Sequence, residues 1–171
     1  MTKHSKFLRY LAYTVEILLL FVLQEAPGVL PEICHARPVL LIPVAVTIAL
    51  FEPQTESTAF GIFCGLLIDS GMDGSVLGLH AIILAVVCFT VSYLARDLLQ
   101  TNIITAFVTC SITMGLAVLL QWLITYVAMG YSDPAYALVQ HYLPRFIYSV
   151  LLVFPIYALN RLFALRIQPV G

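Results

Sequence analysis

The ionisable side chains that could perform chemistry in this sequence are few and stand apart from one another. Glu16 interrupts an apolar segment near the N-terminus, where a carboxyl group in hydrocarbon must be protonated, hydrogen-bonded or turned toward protein. A proton relay would need several acids or histidines in line, and no second acid lies in the middle of an apolar segment. We therefore expect a structural role, in which Glu16 packs against Gln121, Tyr126 or another polar group. A ligand or proton-relay role is the alternative.

Asp69 and His80 lie on either side of a glycine-rich turn. The Asp69 carboxylate is expected to accept hydrogen bonds from backbone amides of that turn or of the start of the following helix. A role as an ion or proton ligand at the membrane edge is the alternative. His80 is predicted to be a hydrogen-bonding residue near the membrane interface, because a lone histidine there is seldom a catalyst or a metal ligand.

The four cysteines, Cys34, Cys64, Cys88 and Cys110, are too far apart in the sequence for a zinc or redox motif. Three of them lie in apolar segments, where a thiol behaves as a small hydrophobic group. The sequence also contains no nucleophile elbow, phosphate-binding loop, dinucleotide fingerprint or zinc-protease motif. It therefore predicts no metal, no cofactor and no enzymatic activity.

Gly61, Gly65 and Asp69 recur every four residues, which places them on one face of a helix. Two missing side chains on one face allow the backbone of a second helix to approach closely. The second helix could belong to the same chain or to a partner protein. The spacing alone fits both.

These residues belong to a chain of 171 residues that is 61% hydrophobic and only 10% charged, with a mean hydropathy of +1.00. Such a chain has more apolar surface than one soluble core can bury, so the composition indicates a membrane protein. A net charge of −1 provides no basic surface for nucleic acid. At about 20 residues per span, the apolar segments predict an all-α polytopic protein with six transmembrane helices in one bundle. The predicted spans are residues 7–23, 38–51, 57–69, 76–95, 103–129 and 146–165.

The second and third spans are short, and Pro43 is predicted to bend the second, which we expect to be buried on most sides. Lys and Arg are retained in the cytoplasm, so their distribution predicts the orientation. With the N-terminus inside, six of the eight basic residues are cytoplasmic, namely Lys3, Lys6, Arg9, Arg96, Arg161 and Arg166. Arg37 and Arg145 are then outside. The sequence therefore predicts that both termini are cytoplasmic.

The segment from residue 37 to residue 95 resembles the rod shape-determining protein MreD family of bacterial membrane proteins. The similarity is carried by a G-x-x-x-G-x-x-x-D helix end and a following L-G, and by an R-P pair before an apolar helix that ends at E-P. In this sequence these are Ala59-Phe60-Gly61, Gly65, Leu66 and Asp69, then Leu77-Gly78, with Arg37-Pro38 and Glu52-Pro53 upstream. The six-span layout and cytoplasmic termini are similar too.

The resemblance implies a non-enzymatic scaffold of the cell-elongation complex in the bacterial cytoplasmic (inner) membrane. Such proteins bind MreC, a single-span coiled-coil protein, and thereby link MreB filaments to RodA and a class B penicillin-binding transpeptidase, which build lateral peptidoglycan. The partner, on this resemblance, is expected at the face of Gly61, Gly65 and Asp69. Arg37, Pro38 and Gly78 are the next candidates.

A vitamin transporter is the alternative function. The same family is similar in fold to the six-helix substrate-binding components of energy-coupling-factor transporters, and short or Pro-interrupted spans can mark a binding site in the middle of the membrane. Against this alternative, the first span lacks the A-x-x-x-A motif with which such components contact their coupling subunit.

Overall fold

A computed structural model describes residues 3–26, 38–71, 78–97, 102–124, 139 and 142–166, and this part of the chain is helical with no strand. The helices are α1 (Lys3–Glu25), α2 (Leu41–Phe51), α3 (Gln54–Gly71), α4 (Leu79–Asp97), α5 (Ile103–Trp122), α6 (Leu143–Leu151) and α7 (Val153–Arg166). Only Leu152 separates α6 from α7. Pro155 accounts for this break, because a proline lacks the N–H donor and its ring clashes with the carbonyl four residues earlier, at Leu151.

Four helical segments are long and apolar enough to cross a membrane, namely Lys6–Glu25, Leu79–Arg96, Ile103–Trp122 and the combined α6 and α7 segment Leu143–Arg166. The all-helical membrane class is therefore confirmed. The helix α2 has 11 residues and reaches only about 16 Å at 1.5 Å per residue. The 18-residue α3 carries Gln54, Glu56 and Asp69 near its ends, which lowers its apolar character. The count of six spans stays a prediction.

The helix α2 lies at the centre of the bundle, in contact with α1, α3, α4, α5 and α7. Every residue from Leu41 to Leu50 is buried, as expected of a helix that is apolar on all sides. The prediction that this helix is buried on most sides is thus confirmed. The bend predicted at Pro43 assumed that this proline removes a hydrogen bond inside the helix, and that assumption is wrong. The helix α2 begins at Leu41, so Pro43 is in the first turn, where its missing N–H removes no intrahelical hydrogen bond.

Polar contacts at both ends hold α1 antiparallel to α2. At one end the Arg9 Nη2 donates to the Glu52 Oε2 at 2.9 Å. At the other end the backbone amide of Leu40 donates to the Gln24 Oε1 at 2.9 Å. The start of α1 therefore lies beside the end of α2, and the end of α1 beside the start of α2.

The last helix returns to the end of the bundle at which the first begins. The rings of Tyr13 in α1 and Phe163 in α7 have centroids 6.3 Å apart in an edge-to-face arrangement. Leu159, one turn before Phe163, lies in the same groove as the α1 residues from Leu8 to Leu20. The C-terminal half of α7 thus packs beside the N-terminal half of α1.

Candidate functional site

The glycine face of α3, defined as Ser57, Gly61, Gly65 and Asp69, is covered by α4 of the same chain. A Cβ atom at Gly61 would lie 2.8 Å from the carbonyl oxygen of Leu84, and one at Gly65 would overlap the backbone of Ala81. Real Cβ contacts are never so short, so both positions require glycine for packing within the chain. A partner helix would have to displace α4 to reach this face.

Ser57 extends the four-residue repeat by one step toward the N-terminus of α3. Its hydroxyl donates to the carbonyl oxygens of Gln54 at 3.2 Å and of Cys88 in α4 at 3.3 Å. A small hydroxyl residue on a close helix contact satisfies its polar group without separating the two backbones. The repeat Ser57, Gly61, Gly65, Asp69 is visible in the sequence, so the role of Ser57 could have been found there.

Asp69 caps the start of α4 with both carboxylate oxygens. Oδ2 accepts from the amides of Gly78 at 2.9 Å and Ala81 at 3.4 Å, while Oδ1 accepts from the amide of His80 at 3.3 Å. The His80 ring Nδ1 lies 2.7 Å from Oδ1, and both side chains are buried. These are the amide contacts expected of Asp69 from the sequence, and they bind a negative charge at the positive end of the helix dipole. His80 thus has the hydrogen-bonding role that was expected of it, and its side chain is buried inside the bundle.

The backbone conformation at position 78 explains why this residue is glycine. Its φ angle is +96°, and a Cβ atom built there would meet nothing within 4 Å. Space is therefore available, but the left-handed conformation disfavours any residue other than glycine. This conformation directs the Gly78 amide toward Asp69.

The two other residues expected at the site lie near the start of α2. Pro38 is buried and precedes two capping contacts, from the Val39 amide to the Ser149 Oγ at 2.8 Å and from the Leu40 amide to Gln24. These bonds satisfy amides that a helix start leaves without intrahelical partners. Arg37 lies outside the described residues.

A buried ion pair between Arg9 and Glu52 was not predicted from the sequence. The Arg9 Nε lies 2.7 Å from the Glu52 Oε1, and the second contact of the pair makes it bidentate. The Ser92 hydroxyl donates to the Glu52 carbonyl oxygen at 2.7 Å, which links α4 to the same end of α2. Burial raises the pKa of the Glu52 carboxyl, and the adjacent Arg9 guanidinium opposes that rise. The partners are too far apart in sequence for any local pattern to indicate the pair.

Glu16 lacks the hydrogen bonds that the buried carboxyl groups of Glu52 and Asp69 make. Its side chain is only 6% exposed, yet neither carboxyl oxygen has a hydrogen-bond partner within the described part of the chain. Glu16 therefore makes no hydrogen bond to Gln121, and Tyr126 lies outside the described residues. Glu16 instead lines a groove of about 520 Å³ between α1 and α7, whose other lining residues are apolar.

The remaining reactive side chains that the structure describes include three cysteines. Cys64, Cys88 and Cys110 are buried and carry free thiols. No set of three or more His, Cys, Asp or Glu side chains that could hold a metal ion occurs among the described residues. Several described polar residues connect helices, as Asn160 of α7 does by donating to the Thr47 Oγ1 of α2 at 2.8 Å.

Comparison with known proteins identifies the family of this chain. The family model of the rod shape-determining protein MreD matches residues 4–163 of the 171. No curated protein and no solved structure matches the chain, so the likeness in fold to energy-coupling-factor components stays a prediction. The family match covers α1 from its second residue, all of the helices from α2 to α6 and most of α7. The chain therefore belongs to the MreD family of rod shape-determining membrane proteins.

Proposed function

We propose that this chain is a non-enzymatic membrane scaffold of the cell-elongation complex, which binds an MreC-like single-span protein and thereby helps control lateral peptidoglycan synthesis. The observation that carries the proposal is the family match over residues 4–163. The structure supports it because Asp69, Asn160 and the Arg9–Glu52 pair connect helices, as suits a scaffold. MreB, RodA and a class B transpeptidase would be reached indirectly, through that partner.

We also propose six crossings of the bacterial cytoplasmic membrane, with both termini in the cytoplasm. Arg9 and Arg96 line one pocket at the end of the bundle where α1 begins, and α7 returns to that end with Arg161 and Arg166. Basic residues gathered at one end favour the cytoplasmic side. The short α2 is compatible with six crossings because neighbouring helices shield it from lipid, so its length need not match the hydrocarbon thickness.

The proposal is tested by affinity purification of the tagged full-length chain from native membranes in mild detergent, followed by mass spectrometry. We expect a single-span coiled-coil protein to co-elute with cell-wall synthases. Co-elution of paired ATPases with a large helical coupling subunit would instead establish a transporter. Recovery of the intact chain with neither set would also contradict the scaffold.

A complementation assay supplies an independent readout. Rod-shaped cells depleted of the chain should become round and recover their shape when it is expressed again. Gly65→Leu should fail to restore rods because it separates α3 from α4, whereas Ala59→Leu, on the exposed side of α3, should restore them. Normal rods after complete depletion would contradict the proposed function.

A further inference from the structure

An open apolar groove of about 520 Å³ lies between α1 and α7 on the surface of the described bundle. We call it the Glu16 groove; its walls are Leu11, Val15 and Leu19 of α1 and Leu159 and Phe163 of α7. Leu11, Val15 and Leu19 are about half to two-thirds exposed, so the groove opens to the outside of the bundle. In a membrane this opening faces the hydrocarbon.

Glu16 lies at a depth that water and lipid headgroups do not reach. It is ten residues beyond Lys6, where the apolar span of α1 begins, or about 15 Å along the helix. The hydrocarbon core is about 30 Å thick, so Glu16 is near its middle. A carboxyl group there with both oxygens unsatisfied is costly, and the cost falls when a hydrogen-bond donor enters the groove.

We propose that the Glu16 groove binds the transmembrane helix of a single-span partner, and that a hydrogen-bond donor on this helix contacts the Glu16 carboxyl. The donor would be a hydroxyl, amide or basic side chain at mid-membrane depth. This inference rests on the proposed function, since it assigns the place at which the scaffold receives its partner. It differs from the expected partner site, the glycine face of α3, which α4 already covers.

The shape of the groove matches a helix. Its α1 wall runs from Leu8 to Leu20, about 18 Å or just over three turns. Leu8, Ala12, Val15 and Leu19 follow the spacing of four, three and four residues by which one helix receives the side chains of another. The small side chain of Ala12 allows a close approach in the same wall.

Two other occupants fit the chemistry less well. A lipid acyl chain would fill the apolar volume but would bring no donor to Glu16. A second copy docked groove to groove about a two-fold axis would place the two Glu16 carboxyls together, where they satisfy each other only when protonated. A helix with its own donor fills the volume and satisfies the carboxyl whether or not Glu16 is protonated.

The first test is photo-crosslinking in native membranes with the full chain. A benzophenone amino acid replaces Val15 or Leu19 in the groove, and Ile112 on the exposed face of α5 serves as the control. We expect adducts from the groove positions at least tenfold above the control, with the crosslinked peptide in the transmembrane segment of the co-purifying single-span protein. Equal yields at Ile112, or adducts only with lipid or with a second copy, would overturn the proposal.

The second test uses two substitutions of Glu16. Glu16→Leu removes the acceptor and should lower the crosslink yield from Leu19 at least tenfold, without lowering the thermal unfolding midpoint of the purified chain. Glu16→Gln keeps an acceptor oxygen and should retain at least half the yield. A purely structural role would instead lower the unfolding midpoint for Glu16→Leu and leave the yield per folded molecule unchanged, which would overturn the proposal.

The design separates this inference from the proposed function. If the single-span protein co-purifies with the wild-type chain but crosslinks only away from the groove, the groove assignment is wrong and the scaffold stands. If no such protein co-purifies, both are wrong.

Discussion

The contact between α3 and α4 and the contact between α1 and α7 are built in opposite ways. Between α3 and α4, glycines at positions 61 and 65 bring the two backbones together, and Asp69 accepts hydrogen bonds from the start of α4. Between α1 and α7, an open groove of about 520 Å³ is left unfilled, and Glu16 is buried beside it without a partner among the described residues.

The carboxyl groups of Asp69 and Glu16 differ in the same way as the two contacts. Asp69 and Glu16 are both almost completely buried, but Asp69 completes its hydrogen bonds within the chain. An acid that is satisfied internally contributes to the fold, whereas an acid that is left unsatisfied lowers stability until a donor arrives. The repeat of Gly61, Gly65 and Asp69 therefore lies in the region that holds the bundle together, and the proposed partner site lies in the other region.

The largest effect should come from filling the α3–α4 contact with Gly65→Leu. The added atoms would overlap the backbone of Ala81, which cannot move away as a flexible side chain could. We expect a loss above about 3 kcal/mol, beyond the usual range for overpacking. Thermal unfolding in detergent with size-exclusion chromatography measures it, and Ala59→Leu on the exposed side is the matched control. A Gly65→Leu protein as stable as that control would show that the two helices are not in close contact.

Asp69→Ala should have the next largest effect. The substitution removes the cap of α4 and leaves His80 buried without its acceptor, so we expect a loss of about 3 kcal/mol from the cap and the unsatisfied group together. Ser70→Ala is the control, since the exposed Ser70 hydroxyl bonds only to the carbonyl of Leu67 among the described residues. Equal unfolding midpoints for the two variants would show that Asp69 does not stabilise the fold.

Sequence alone predicted the parts of these regions that depend on neighbouring residues. The approach of a helix at Gly61 and Gly65 and the amide contacts of Asp69 follow from a four-residue repeat and a short glycine turn, so both are visible locally. The Arg9–Glu52 pair joins residues 43 positions apart, and no local pattern fixes such a distance. The break at Leu152 had a local signal in Pro155, which was missed within a long apolar segment.

The identity of the helix that meets the glycine face also required the structure. A spacing of four residues shows that some backbone approaches, but helices of the same chain and of a partner satisfy the same steric condition. For Glu16 the sequence indicated its depth in α1 and its need for a partner. Whether that need is met depends on how α7 packs beside α1, which is a property of the whole bundle.

Equal truncations in the two regions should differ in their effect. Leu84 of α4 is 1% exposed at the α3 contact, whereas Leu19 is 64% exposed at the groove. Leu84→Ala leaves a cavity and should cost about 2 kcal/mol, the low end of the usual range, because the lipid is as apolar as the protein interior. Leu19→Ala should change the unfolding free energy by less than about 0.5 kcal/mol, as exposed positions do. Similar losses at both positions, measured by thermal unfolding in one detergent, would contradict the contrast between the regions.

The last substitution should change stability in the opposite direction, toward a gain. Glu16→Leu replaces a buried acid that has no hydrogen-bond partner among the described residues, so the purified chain should gain about 1 kcal/mol, the low end of what an unsatisfied buried group costs. Thermal unfolding of the chain alone and with its co-purified partner measures this. The gain should appear only in the isolated chain and become a loss in the complex, because the wild-type acid is then satisfied. Asp69→Ala should instead destabilise both samples, since the Asp69 oxygens accept hydrogen bonds from amides of the same chain. If Glu16→Leu destabilised the isolated chain as Asp69→Ala does, both carboxyls would be parts of the fold, and the difference between the two regions would be one of packing density alone.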